Sequence, residues 1–111
     1  MSRVSNGVMD VEINGNDYRL KATVAAIESI EQKFSGGMAA AAQACMQISF
    51  SNATFIIAKG ANLNKDQQKQ LKTDIVADGI EAAATIAAEY IAMLMNPNAE
   101  EESEDEPAGE L

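Results

Sequence analysis

Residues 11–31 read VEINGNDYRLKATVAAIESIE, and this stretch decides the fold class. Asn14-Gly15 enters the left-handed backbone region at low cost, as a tight hairpin turn requires. Ahead of it, Val8, Val11 and Ile13 sit among Asp10, Glu12 and Asn14, with Met9 interrupting the alternation. Behind it, Tyr18 and Leu20 alternate with Arg19 and Lys21 on a returning strand. A lone hairpin is marginal in water. Its apolar face needs a surface, and the helix that Thr23 can cap is the nearest one.

Helical periodicity continues outward from there. Val24, Ile27, Ile30 and Phe34 recur near helical spacing, with Ile27, Ile30 and Phe34 as the firm stripe. Ser35-Gly36-Gly37 closes that helix. Met38 to about Ser49 reads as a second helix, with Met38, Ala41 or Ala42, Cys45 and Ile48 on one side. Asn52 opens a short segment closed by Gly60. Its run Phe55-Ile56-Ile57 fits a helix or a strand, and the flanking residues favour a helix. Asn64 with Gln67 three residues on is a capping box, followed by a polar helix whose narrow stripe is Leu71 and Ile75. Asp78 with Glu81 repeats that spacing and opens a last helix to about Met95. This helix is apolar over more than one face, which suits a core element or a subunit contact. Asn96-Pro97 stops it.

Charge divides the chain. Residues 1–98 hold ten acids and eight bases, a balance of −2, whereas residues 99–111 hold seven acids and no base. The acidic run lacks apolar anchors and reads as a disordered tail, either solubilising or a strip for a basic partner. The sequence therefore predicts an α+β protein. Residues 8–98 form a short N-terminal β-hairpin followed by a small bundle of four to five helices, residues 1–7 are a flexible N-terminus, and 99–111 are the tail. Only 5% of residues are aromatic, with no Trp, so alanine supplies much of the apolar content. The core is expected to be thin, and self-association would help it.

Function classes narrow by what is missing. There is no histidine, hence no common general base or zinc ligand. A lone Cys45 cannot form an intrachain disulfide or a thiolate cluster, and it reads as a small buried hydrophobe rather than a reactive thiol. Gly36-Gly37 lacks the residues of a phosphate loop. Asp74, Asp78 and Glu81 would be the one carboxylate set to consider. The last two are explained by capping, and Asp74 reads as an ordinary exposed helix acid. No catalytic, cofactor-binding or metal-ligating residue is assigned, no cofactor is expected, and the protein is expected not to be an enzyme. Nothing offers the basic footprint of a nucleic-acid binder, and no run reaches membrane-spanning length.

The order of motifs resembles a known family. A hairpin around Asn14-Gly15 leads through Tyr18-Arg19-Leu20 to Ala26-Ile27-Glu28-Ser29-Ile30-Glu31. Gly36-Gly37, alanine-rich helices, Ala58-Lys59-Gly60-Ala61 and the closing Ile80–Met95 segment follow. This resembles the small phage tail assembly chaperones, also found in gene transfer agents, over about residues 8–95. Lys59 departs from the pattern, since family members often place Ala-Gly directly. The resemblance implies a non-catalytic assembly factor in the cytoplasm of a bacterial host. Its partners would be the tape-measure protein, the tail-tube protein and further copies of itself, and it would be absent from the mature virion. Met38, Met46, Met93 and Met95 would suit varied client surfaces if exposed. The rival readings are a minor tail or head–tail connector protein of the virion, and a small regulatory protein-binding module.

Overall fold

Asn14 and Gly15 both take positive φ, 55° and 81°, the conformation that a two-residue hairpin turn demands. They join β2 (Val8–Ile13) to β3 (Asn16–Lys21) in antiparallel register, with Ile13 opposite Asn16, Val11 opposite Tyr18 and Met9 opposite Leu20. Met9, Val11, Ile13, Tyr18 and Leu20 all face inward and are buried. Met9 thus keeps the alternation instead of interrupting it, and Val8 is the residue turned outward and half-buried. The computed structural model describes residues 3–97. The acidic run 99–111 lies outside the described residues.

Part of the segment expected to be a flexible N-terminus is strand. Arg3–Ser5 forms β1 and pairs antiparallel with β2, giving a three-stranded sheet in the order β1-β2-β3. The turn between them is Asn6-Gly7, again with both φ positive, 52° and 79°. The backbone N–H of Ala22 donates to the Gly7 carbonyl at 2.8 Å, tying this turn to the end of β3.

Five helices follow: α1 (Val24–Lys33), α2 (Gly37–Cys45), α3 (Phe50–Ala61), α4 (Lys65–Asp78) and α5 (Ile80–Met95). The fold is therefore α+β, a hairpin-based sheet against a helical bundle. α1 starts as its sequence indicates, with Thr23 Oγ1 accepting from Ala26 N–H. Its inward residues are Ala26 and Ile30, with Ile27 and Phe34 half-buried, while Val24 is turned to solvent.

α2 is shorter than expected, and Ile48 leaves its inner stripe. Tight i→i−3 bonds from Met46, Gln47 and Ile48 N–H end the helix after Cys45. The chain must then turn so that Ser49, rather than Asn52, caps α3 by accepting from Asn52 N–H at 3.1 Å. Residues Phe55–Ile57 are helical, with Ile56 and Ile57 fully buried. The half-buried Phe55 ring carries the Lys33 and Lys59 ammonium groups at 5.1 and 5.5 Å, joining α1 to α3.

Gly60 does not end α3. It lies inside the helix because α5 crosses there: a Cβ at Gly60 would stand 2.8 Å from Cζ of Tyr90 and 3.1 Å from Cδ2 of Leu20. The helix stops at Asn62, in the left-handed conformation, and Leu63 N–H bonds back to the Ala58 carbonyl. The capping box of α4 is complete, Asn64 and Gln67 each accepting from the other's backbone. By contrast, Asp78 does not cap α5. It remains in α4, and Gly79 alone joins the two helices at φ 112°, a conformation that glycine reaches without strain. α5 is a core element, burying Ala83, Ala84, Ala87, Tyr90, Ile91 and Met93 against α2, α3 and α4. The Tyr90 hydroxyl donates to the Lys21 carbonyl at 2.6 Å, so α5 also holds the end of the sheet.

Candidate interaction surface

Two features stand out from this frame, one buried and one exposed. The buried one is Asp74, which is inaccessible to solvent, contrary to the reading of an exposed helix acid. α4 turns it under the hairpin. Its Oδ1 accepts from Asn14 Nδ2 at 3.2 Å and Gln70 Nε2 at 2.9 Å. Its Oδ2 accepts from Asn16 Nδ2 at 3.0 Å and the Tyr18 hydroxyl at 2.6 Å. Burial opposes ionisation, but the four donors, led by Tyr18, outweigh it and bring the pKa down to about 2. Burial and the bond to Asp74 together push the Tyr18 hydroxyl far above its usual range.

This cluster ties the hairpin to α4. Every donor is neutral and already committed to the carboxylate. Asp78 and Glu81, the other members of the imagined carboxylate set, are exposed and take no part in it. Among the described residues no group of three or more potential ligands could hold a metal ion. Cys45 is 5% exposed, and burial raises its thiol pKa, which suppresses the thiolate. No described helix is long and apolar enough to cross a membrane.

The exposed feature is apolar. The large hydrophobic side chains left exposed among the described residues are Val24, Met46, Ile48, Val76, Ile80 and Met95. Three of them, Met46, Ile48 and Val76, gather at one corner, around the α2–α3 connection. Two grooves flank that connection. One, about 460 Å³, runs between the end of α2 and α5, with Met46 and Ile48 facing Ala84, Ala88 and Ala92 beside Glu81 and Glu89. The other, about 450 Å³, is formed by Phe50 with Lys72, Thr73, Val76 and Ala77 of α4. The alanines of α5 leave room for a close approach of another backbone.

Backbone conformation presents the corner. Ile48 stands at φ 55°, where a β-branched side chain meets its own carbonyl, at a cost of about 1–3 kcal/mol. It is nonetheless 49% exposed, and Met46 beside it is 78% exposed. The other methionines divide: Met95 is exposed, Met38 half-buried and Met93 part of the core. An exposed apolar patch of this kind is a candidate interaction surface. Sequence periodicity assigned Ile48 to the core because it extended α2 by one turn too many.

Comparison with known proteins finds no matching family model, no matching curated protein and no matching solved structure.

Proposed function

We propose that this chain is a non-catalytic phage tail assembly chaperone that binds the tape-measure protein and assists tail-tube assembly. The observation that carries the reading is the apolar corner of Met46, Ile48 and Val76. A thioether such as that of Met46 adapts to varied apolar partners. A groove floored by alanines accepts an amphipathic helix, the form in which a long helical client presents its apolar stripe. The resemblance of residues 8–95 to the chaperone family points to that client. The host cytoplasm is the setting this role requires.

The test is co-expression with the tape-measure protein of the same phage, followed by light-scattering mass of the soluble material. A defined complex containing several copies of this chain supports the proposal and gives the stoichiometry. A tape-measure protein that still aggregates beside a folded, unbound partner overturns it. Recovery of the chain from finished particles would favour a virion component instead.

A further inference from the structure

We propose that a second copy of this chain occupies the apolar corner, in a symmetric dimer. The argument begins with the charge on its two grooves. The α4 groove carries Lys72 next to Val76, and the α5 groove carries Glu81 on the same lining as Met46 and Ile48. Lys69 extends the basic side one turn further along exposed α4. One corner thus holds a basic half and an acidic half, separated by exposed apolar side chains.

That is the pattern of a self-complementary surface. A two-fold axis through the patch exchanges its halves. Lys72 of each copy then faces Glu81 of the other, and Met46, Ile48 and Val76 meet across the axis. Opposite charges on the rim fix the register, and the apolar centre supplies the affinity. Residues 3–97 are near neutral, so no strong repulsion between the folded parts opposes the contact. A partner of uniform charge would match only one half of the patch.

Self-association of this kind follows from the patch itself and does not depend on the chaperone reading. Its consequence does rest on that reading: the dimer would shield the client surface until the client displaces the second copy. Dimer and client complex would then be mutually exclusive.

Sedimentation equilibrium of the full chain over a concentration series tests the dimer without any client. The expected result is a monomer–dimer equilibrium. Val76→Lys, on an exposed helical face, should raise the dissociation constant about tenfold or more. Ile48→Asn should do the same without loss of thermal stability, because asparagine accepts a positive φ. Lys72→Glu should weaken association, and adding Glu81→Lys should restore it. A chain that stays monomeric to its solubility limit overturns the proposal. So does a dimer unmoved by both Val76→Lys and Ile48→Asn. A dimer that behaves as expected, beside a tape-measure protein that is never solubilised, would leave the self-association standing and remove the chaperone reading.

Discussion

Replacing Asp74 with asparagine changes almost no volume and exposes the logic of the buried cluster. Each carboxylate oxygen accepts from two donors: Asn14 and Gln70 on Oδ1, Asn16 and Tyr18 on Oδ2. An asparagine has only one acceptor oxygen. Whichever way its amide is turned, two donors face an N–H₂ group and lose their bonds. Hydrogen bonds to a charged group contribute about 1.5–3 kcal/mol each, and the charge no longer buried offsets part of that loss. The net loss is about 2–4 kcal/mol, a large fraction of the stability of a small domain. With a urea slope of about 2 kcal/mol per molar, the midpoint should fall by about 1–2 M.

The same carboxylate has a signature in pH. Its folded pKa, about 2, lies below its ordinary value of 3.8. Its contribution is therefore complete above pH 3.8 and is lost as pH falls towards 2. It amounts to at most about 2 kcal/mol, because solvent at the exposed hairpin tip screens the charge. Urea melts followed by circular dichroism, for both proteins from neutral pH down to about pH 2.5, should show the wild-type advantage shrinking in acid. Equal midpoints at neutral pH would refute the reasoning. A gap that stays constant down to the lowest pH would show that the asparagine fails for some reason other than charge.

Other contacts give simpler expectations. Gly60→Ala gains helix propensity but drives Cβ into the Tyr90 ring, which its bond to the Lys21 carbonyl holds in place, so a net loss of about 1–3 kcal/mol should appear in thermal melts. Tyr90→Phe removes only that 2.6 Å bond and should cost about 1 kcal/mol, plus the penalty of leaving the Lys21 carbonyl unpartnered if water does not reach it. Thr54→Val should be neutral or stabilising by about 1 kcal/mol, because the buried Thr54 hydroxyl finds no hydrogen-bond partner; a clear loss of stability would show that the hydroxyl is satisfied in solution.

Much of the fold was legible in the chain because the signals are local. Asn14-Gly15 fixes a hairpin by its own backbone preference, whereas the second turn, at Asn6-Gly7, and the strand Arg3–Ser5 it brings into the sheet lie in a segment that the sequence suggested was a flexible N-terminus. Thr23 and the Asn64/Gln67 box reach only three residues to their partners, so helix starts could be read directly. The apolar character of α5 was likewise plain in its composition.

Long-range contacts decided the rest. Asp74 lies 56 to 60 residues from the hairpin groups that bury it, and on its own helix it resembles any exposed acid. Gly60 reads as a helix end until Tyr90, thirty positions on, is seen to need the space. Ile48 has the spacing of a core residue, but ending α2 after Cys45 and starting α3 at Phe50 forces it outward. The exposed corner exists only where residues 46–50 form one groove with α4 and another with α5. Backbone preference and capping act over a few residues and are written in the sequence. A surface patch joins residues brought together only by packing, so its place was settled by the tertiary structure alone.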